Sequence, residues 1–589
     1  MHDIVIRGGT IIDGTGKAAF NGDVAITGER IAEVGGKLGP ARREIDATGL
    51  LVTPGWVDVH THYDGQAMWD PLLGPSCWHG VTTAMFGNCG VGFAPVRPQH
   101  RAALMELMEG VEEIPGVVLT DGLTWEWETF PDFLEALERR PRAIDIAAQI
   151  AHHPLRVWVM GDRAIRLEPA RPDDIAEMRR LTIEALRAGA FGFTTSRTDS
   201  HKTPVGEMVP SRYAASEELL GIGGALGDVG AGAFGMNSDF DDEDDELAWL
   251  IQFAKKTGRA VWFLLTDRYE DPERWRRLLA AVHAARADGA HVTAQIAGRP
   301  IGVMLGIGTA LNPFSVRPSY RELDGLSIPE QRRRLRDPAL RRRILDEKPS
   351  PEEVSRLAQF RQLITTRWDK FFVMGDPPDY EPPDEASCAA IAAREGRTPD
   401  EVAYDYLTEA ENRYLFFPVV NYVCGDHEPI REMLTDSGTL LGLSDGGAHC
   451  TSIVDAGVPT YMLLHWGRDQ RRGPRLPLEL LVRRQTSETA DFFGLHDRGR
   501  LAPGLRADIN LIDFDRLRLY PARAHQRSSR RRPPLRATGR RLRGHALGRN
   551  ADLRARRAHR RAARPPRTRG ACLTSFCLLN GGNSAKRGR

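Results

Sequence analysis

Apolar and polar residues follow two different patterns along the chain, and the change falls near residue 51. Before it, IVIRGGTIID and DVAITGERIAEVGG alternate in polarity between Gly-containing turns, which is typical of a small antiparallel β unit. After it, apolar runs such as AGAFGFTTS and TLLGLSDGGAH are separated by amphipathic stretches such as DDIAEMRRLTIEALRAG. Seven or eight strand–helix units of this kind predict an α/β fold, a (β/α)8 TIM-like barrel with insertions.

The same patterns predict how the chain is divided. Residues 1–53 form the N-terminal part of a small β-sandwich, and residues 54–495 form the barrel. A stretch around 320–400 is rich in Arg, Asp, Glu and Pro and indicates a helical insertion. The β pattern then resumes in GLHDRGRLAPGLRADINLIDFDRL, so residues 496–520 are the truncated C-terminal part of the sandwich. We prefer one split domain, built from both chain ends, to two unrelated appendages.

Residues 521–589 differ from the rest in charge and composition. They contain 21 Lys and Arg and one acid, whereas residues 1–520 contain 59 bases and 78 acids. This segment has almost no Ile, Val or Phe and no hydrophobic period, so it cannot offset its ordering entropy and is predicted to be disordered. A shifted reading frame near codon 521 is the favoured explanation, because the β pattern stops in mid-domain. An ordinary disordered tail comes second. An arm that binds nucleic acid comes last, because interleaved aromatics and known motifs are absent.

Bulk composition excludes several classes of protein. No apolar run approaches the roughly 20 residues that cross a bilayer, and the N-terminus lacks a basic-then-apolar leader. Seven cysteines scattered over 589 residues do not indicate a disulfide framework, which favours a cytoplasmic location. The oligomeric state stays open, because the sequence shows no coiled-coil pattern.

The most informative motif is PGWVDVHTHYD, in which an apolar strand ends at His60 and His62. Residues two apart on a strand point to the same side, so both imidazoles share one face. At the carboxyl end of a barrel strand that face is the mouth, where chemistry occurs in this fold. Two neutral imidazoles in such a place suit a divalent metal such as zinc.

Two further motifs offer ligands of other kinds. Cys89 lies between glycines in FGNCGVG at the end of an apolar run, where a thiolate could bind zinc; a small buried thiol is the alternative. Asp445 in GLSDGGAH could bind metal and act as the general base on a water; a simple Asp-Gly turn is the alternative. His449 ends the same string and is a candidate for substrate binding.

Taken together, these strings resemble the N-acyl-D-amino-acid deacylase (D-aminoacylase) branch of the amidohydrolase superfamily, over residues 1–520. DIVIRGGTIIDGTG, DAGVPTYMLLHW and RGRLAPGLRADINLIDFD belong to the same resemblance. It implies a (β/α)8 barrel, a small β-sandwich made from both chain ends, and metal-dependent hydrolysis of a small N-acylated amino acid. It also implies that His60 and His62 are first-strand ligands, that Cys89 is a thiolate ligand, and that Asp445 binds metal and carries the proton.

The chain departs from the family where strands five and six end. The resemblance implies a histidine at each end, but the corresponding runs are AGAFGMNSDFDDED, with Asn237, and AVWFLLTDRY, with Thr266 and Asp267. Either one zinc is held by the four residues above, or nearby groups substitute and two metals bind. His201 is the preferred substitute, and Asp239 and Asp267 are carboxylate alternatives; a polar loop role competes for each.

Two more residues are candidates for substrate binding. His152 in HHPLR falls where the family has a histidine ahead of a Leu-Arg pair. Arg299 in AGRPI could hold a substrate carboxylate in a bidentate fork. A buried histidine with satisfied hydrogen bonds and an ordinary ion pair are the competing interpretations.

The predicted function is therefore hydrolysis of a non-peptide C–N bond, most specifically deacylation of an N-acyl-D-amino acid. Two alternatives remain: a cyclic-amide hydrolase of the same superfamily, and a catalytically impaired barrel that acts as a binding protein. Cys89, and the lack of a lysine ending the fourth strand-like run, weigh against hydantoinase chemistry. The acyl group, side chain and hand of the substrate are not fixed by the sequence.

Overall fold

The computed structural model describes residues 1–309, 311–349, 366–442, 444–450 and 452–522, and the backbone of 523–524, 535–536 and 576–579. Within these ranges, eight parallel strands form the barrel, each hydrogen-bonded to the next in chain order. The third is interrupted at Gln149 and therefore carries two labels. Their bounds are β6 Trp56–Asp58, β7 Val81–Phe86, β8 Asp145–Ala148, β9 Ile150–Ala151, β10 Gly192–Arg197, β11 Ala233–Ser238, β12 Val261–Leu264, β13 Val292–Ile296 and β17 Thr439–Leu441.

The barrel closes between its first and last strands. A parallel bridge joins Thr61, just after β6, to Gly446, just after β17. The barrel strands are almost entirely buried, because helices cover their outer faces and side chains fill the inside. The predicted barrel is confirmed.

Helices of the barrel layer begin and end where the sequence provides caps. The helix Glu243–Thr257 begins at Asp242, whose side chain accepts a hydrogen bond from the Asp245 amide at 3.0 Å, and ends at Gly258 in the left-handed conformation. Its first turn is acidic and its last turn holds two lysines, which complements the helix dipole. The other α-helices of the barrel are Arg101–Glu112, Gly116–Gly122, Phe130–Glu138, His152–Met160, Asp162–Ile165, Pro172–Ala188, Ser216–Val229, Arg274–Ala287, Glu428–Thr435, Val458–Tyr461, Leu478–Gln485 and Ser487–Phe492.

Shorter helical segments complete the connections. A π-helix, Met462–Asp469, follows Val458–Tyr461 directly. The 3-10 turns are Gln66–Met68, Ser76–His79, Pro98–His100, Trp368–Lys370, Asp384–Ala386 and Asp455–Gly457. Among the described residues, no helix combines the length and apolarity needed to cross a membrane.

The two ends of the chain share one sheet. Its N-terminal strands are β1 His2–Ile11, β2 Phe20–Thr27, β3 Arg30–Gly35, β4 Ala41–Asp46 and β5 Leu51–Pro54. The C-terminal strand β18, Ile509–Ile512, pairs antiparallel with β5, so the predicted split β domain is present. Its core includes buried apolar residues from both ends, among them Ile6, Val24, Ile509 and Leu511.

Only a few residues of the basic segment 521–589 are described, and they include short strands. The strand β21, Phe576–Leu579, pairs with β18, and β19 Arg523–Ala524 pairs with β20 Leu535–Arg536. These few residues are strands, in contrast to the predicted disorder. The rest of the predicted disordered tail after 524 lies outside the described residues.

The insertion lies between β13 and β17. It is therefore longer than the predicted helical stretch around 320–400, and it contains strands as well as helices. It contains an antiparallel sheet of β14 Ile301–Gly306, β15 Phe372–Val373 and β16 Tyr414–Val420. Apolar runs such as YLFFPVV resemble barrel strands, so the sequence pattern alone did not assign them to the insertion. Its helices are Pro318–Arg321, Ile328–Leu335, Pro338–Asp346, Cys388–Glu395 and Pro399–Glu409, which pack with the sheet around a separate apolar core.

Candidate metal centre

Four predicted ligands meet at the mouth of the barrel. The Nε2 atoms of His60 and His62 each lie 3.6 Å from Asp445 Oδ1, and Cys89 Sγ lies 3.5 Å from His60 Nε2. The barrel closure sets these distances, since the Asp445 amide donates to the His60 carbonyl at 3.1 Å and the His62 amide to Gly446 at 2.8 Å. Both imidazoles are buried.

Two residues at this site have a strained backbone conformation, and the glycines beside them make room for it. Cys89 (φ 54°) and Asp445 (φ 46°) adopt the left-handed conformation, which is uncommon for residues other than glycine and clusters at functional sites. Their glycine neighbours allow the loops to pack closely. A Cβ on Gly87 would lie 2.2 Å from the Gln149 carbonyl oxygen, and one on Gly447 would lie 2.8 Å from that of His62. The GNCG and SDGG strings are therefore explained by geometry.

Two polar residues behind the histidines orient them. Gln295 on β13 places Oε1 2.6 Å from His60 Nδ1, and an amide oxygen only accepts, so Nδ1 carries the proton and Nε2 keeps its lone pair. Glu112, at the end of Arg101–Glu112, places Oε1 3.3 Å from His62 Nδ1. Sequence reasoning missed both residues. A glutamine within the buried run VTAQI is the signal that could have identified the first.

The donor set fits a divalent transition metal. The ligand atoms of His60, His62 and Cys89 all lie within 4.8 Å of one another. Imidazole nitrogen, thiolate sulfur and carboxylate oxygen are the ligands that zinc prefers, and His60 has in Gln295 the hydrogen-bonded outer partner that metal-binding histidines usually have. His62 Nδ1 and Glu112 Oε1 are buried and not aligned for a hydrogen bond with each other. The residues present are therefore suited to hold a cation.

Electrostatics at the mouth favour a positive charge. Burial alone would raise the pKa of Asp445, but the imidazoles of His62 and His60 outweigh it and hold this pKa below its usual range. Burial lowers the pKa of His60 to about 4, so its imidazole is neutral at pH 7. Burial raises the pKa of the Cys89 thiol well above its usual range. A cation is thus needed to hold this sulfur as a thiolate, the form that binds metal.

The substitutes predicted for the missing histidines make other hydrogen bonds in this structure. His201 is not in the group formed by the ligand atoms of His60, His62 and Cys89: its Nδ1 lies 2.7 Å from Ser196 Oγ and its Nε2 lies 3.4 Å from Asn237 Nδ2. Asp239 is hydrogen-bonded to Thr198 and to the Asp199 amide.

Asp267 and Thr266 are likewise engaged in local contacts. The Asp267 carboxylate accepts from the Val423 amide at 3.2 Å, and Thr266 Oγ1 lies 3.4 Å from Arg268 Nε. Both carboxylate alternatives therefore make loop hydrogen bonds in this structure.

His152 belongs to a buried network instead of an open binding surface. Its Nδ1 lies 2.8 Å from Thr195 Oγ1 and its Nε2 3.0 Å from Glu218 Oε1, while Arg156 Nε donates to the same carboxylate at 2.7 Å. Both ring nitrogens are occupied, so the structure favours the structural interpretation of this histidine over substrate binding.

Arg299 has N–H groups without hydrogen bonds among the described residues, whereas both ring nitrogens of His449 face carboxylates. Arg299 Nη2 donates to Asp455 at 2.5 Å, but its buried Nε and Nη1 make no hydrogen bond among the described residues. His449 lies 3.6 Å from Glu112 and 3.8 Å from Glu113. Burial opposes its charge, but these carboxylates, Glu113 first, raise the pKa of His449 to about 9. Both side chains are therefore cationic at pH 7.

Comparison with known proteins defines the class. The sequence model of the Amidohydrolase family matches residues 43–538, most of the chain, so this protein belongs to the amidohydrolase family and is a hydrolase of C–N bonds outside peptides. The D-aminoacylase of Alcaligenes xylosoxydans xylosoxydans is 26% identical over 527 residues, covering 87% of this chain and 88% of that protein. The N-acyl-D-glutamate deacylase of the same organism is 28% identical, with the same coverage of each chain.

A solved structure supports the fold. The crystal structure of a D-aminoacylase superposes with a TM-score of 0.57 at 24% identity, covering 91% of this chain and 94% of that one. The predicted resemblance to the D-aminoacylase branch and the predicted barrel with a small β domain are both confirmed.

The outer partner of His62 can be tested by a single change. Glu112→Gln keeps the size of the side chain but removes the charge that faces Nδ1, so we expect zinc affinity to fall about 10–100-fold. Competition with a chromophoric chelator measures this. Glu109→Gln, one turn earlier on the same helix and outside the site, is the matched control. Unchanged affinity in Glu112→Gln would show that this carboxylate does not act on the metal site.

Proposed function

We propose that this chain deacylates small N-acyl-D-amino acids with one divalent metal, preferably zinc, held by His60, His62, Cys89 and Asp445. The observation that carries the proposal is the convergence of these four donors at the mouth of the barrel. Two relatives that match most of the chain are named D-aminoacylase and N-acyl-D-glutamate deacylase, which supports this substrate class.

Asp445 is the residue that moves the proton. When bound, a divalent metal supplies Lewis acidity, which lowers the pKa of a water and polarises the scissile carbonyl. The Asp445 carboxylate is ionised, since its pKa is held low, and it accepts the proton of the attacking water at an Oδ atom. It then donates that proton to the departing nitrogen. The hydrogen bond to Gln295 holds His60 in place during these steps, and the Glu112 carboxylate faces His62 Nδ1 at 3.3 Å.

One metal is favoured over two. Asn237 and Thr266 stand where the family resemblance implies histidines, and the group of convergent ligand atoms at the mouth contains no residue from β11 or β12 within the described ranges. A second ion would therefore have to be bound without the two expected imidazoles, although His201 lies close to Asn237.

Two cationic side chains would recognise the carboxylate of the substrate. Arg299 has buried N–H groups without partners among the described residues, and its guanidinium carbon lies 3.7 Å from the ring centre of Tyr380, which fixes its plane. The His449 side chain is 24% exposed beside Asp445. A bidentate contact to Arg299 would give the specificity that a planar guanidinium provides.

A cytoplasmic location also stays a prediction, supported by the five described cysteines, which are all free.

The substrate class is tested by turnover of paired enantiomers. With zinc bound, N-acetyl-D-amino acids should be hydrolysed with kcat/KM at least about tenfold above their L counterparts, because a chiral pocket discriminates by about 1–3 kcal/mol. Hydantoins, assayed under the same conditions, should not be turned over. Hydrolysis of hydantoins alone would overturn the deacylase proposal in favour of the cyclic-amide alternative. Absence of all turnover in zinc-loaded protein would favour the impaired barrel.

A further inference from the structure

A second group of metal-binding side chains lies outside the mouth of the barrel. Glu381 and His427 belong to the segment between β13 and β17, and His465 lies on the π-helix Met462–Asp469. Glu381 and His427 are buried, and the His465 side chain is 12% exposed. Three elements that are distant in sequence therefore bring two imidazoles and a carboxylate together.

The ligand atoms form a triangle of the size that a metal requires. His427 Nδ1 lies 3.1 Å from His465 Nε2, which lies 3.4 Å from Glu381 Oε2, and the third side measures 3.9 Å. Zinc binds nitrogen and oxygen at about 2.0–2.1 Å, which places the ligand atoms of a tetrahedron about 3.3 Å apart. The three atoms thus match one face of a tetrahedral site.

Outer contacts point the lone pairs of His427 and Glu381 into this triangle. His427 Nε2 lies 3.0 Å from the Tyr380 carbonyl oxygen, which only accepts, so Nε2 carries the proton and Nδ1 is free to bind. The backbone amide of His427 donates to Glu381 Oε1 at 3.0 Å, which leaves Oε2 facing the imidazoles. Such contacts are the usual second layer around a metal.

Among the described residues, no arginine or lysine forms an ion pair with the Glu381 carboxylate. Both ion pairs of Glu381 are to His427 and His465, whose imidazoles are charged only when protonated. Arg472 approaches the Glu381 backbone carbonyl at 3.5 Å and the Tyr422 hydroxyl at 3.1 Å instead. The charge of Arg472 and a hydrogen bond from Gln470 act on the buried Glu381 carboxylate, and a divalent ion at the triangle would add a positive partner in direct contact. The π-helix that presents His465 is a rare element that is often found at functional sites.

We propose that Glu381, His427 and His465 form a second divalent-metal site, separate from the catalytic one, which takes zinc or a similar first-row cation. The ion would tie the insertion to the segment that follows the last barrel strand. Its fourth position would be filled by water or by Tyr461, whose hydroxyl lies 3.3 Å from His427 Nδ1. Tyr380 connects this site to the mouth, since its carbonyl contacts His427 and its ring packs on Arg299. The role is therefore structural, and it supports the position of Arg299.

The test first removes the catalytic ligands. A full-length His62→Ala, Cys89→Ala variant is stripped with a chelator, reloaded with zinc alone, desalted and analysed for metal. About one equivalent should remain bound, because the second site is untouched, and adding His465→Ala should abolish it. His283→Ala, an exposed histidine paired with Asp436, is the matched control and should retain the ion. No bound zinc in the His62→Ala, Cys89→Ala variant would overturn the proposal, and so would equal zinc with and without His465.

Cobalt spectra test independently whether the second site binds a metal. Cobalt at the catalytic site should show a thiolate charge-transfer band, which is absent from the His62→Ala, Cys89→Ala variant, whereas the visible d–d bands of a nitrogen–oxygen site should persist in that variant. Glu381→Gln, which preserves shape, should remove those bands if the His465 variant fails to fold. Persistence of the bands in folded Glu381→Gln would contradict the proposal. None of these outcomes depends on catalytic activity, so they separate this proposal from the proposed deacylase function.

Discussion

Asp445→Asn is expected to lower kcat for deacylation by about 10²–10⁴-fold, the contribution typical of a positioned general base. The amide keeps the size of the carboxylate and an oxygen that can face His60 and His62, but it cannot accept the proton of the attacking water. Single-turnover assays with the zinc-loaded variant measure the loss directly. Metal content should stay near that of the unmodified protein, since three other ligands remain.

The matched control is an aspartate whose contacts do not involve the histidines of the metal centre. Asp228→Asn disrupts only an exposed pair with Arg179 and should leave kcat unchanged. If Asp445→Asn retained full kcat with zinc bound, another group would be the base. If it lost its zinc, Asp445 would act mainly as a ligand, and its role as proton carrier would have no support.

The combined His60→Ala, His62→Ala variant is expected to lose both the catalytic metal and about 10⁴-fold or more of kcat/KM, because metal activation of water contributes several kcal/mol. Two of the four donors disappear, and Cys89 with Asp445 cannot complete a tetrahedral site alone. Metal analysis of the desalted protein and turnover of an N-acetyl-D-amino acid are measured on the same sample.

His496→Ala is the matched control, since His496 is exposed in a turn before the β domain. It should retain metal and activity. The double histidine variant is compared with it by circular dichroism, so that loss of metal is separated from loss of fold. Full activity in the folded double variant would exclude His60 and His62 as ligands of the catalytic metal.

Much of the site could be predicted because its ligands lie at strand ends. The strand that ends in His60 and His62, the Gly-Asn-Cys-Gly turn and the Ser-Asp-Gly-Gly turn each show local patterns that point to the same edge of a barrel. The resemblance then assigns them to one family. In the structure, the contacting ligand atoms of His60, His62, Cys89 and Asp445 lie 3.5 to 3.6 Å apart.

The parts that could not be predicted depend on contacts between distant segments. Gln295 and Glu112 lie 235 and 50 residues from the histidines they orient, and neither has a local motif. Glu381, His427 and His465 are each isolated in the sequence and meet only because the insertion folds back on the barrel. The limits of that insertion were also missed, because its strands are apolar runs like those of the barrel.

Metal dependence of deacylation is measured most directly by titrating chelator-stripped protein with zinc. Bound zinc and turnover of an N-acetyl-D-amino acid are followed in parallel, and zinc at the catalytic site is taken as the difference in bound zinc between the unmodified protein and the His60→Ala, His62→Ala variant. Activity should be absent in the stripped protein and rise in proportion to zinc until about one equivalent is bound, since one metal activates the water. Full activity without metal, or no hydrolysis of either enantiomer at one equivalent, would contradict a metal-dependent deacylase built on His60 and His62.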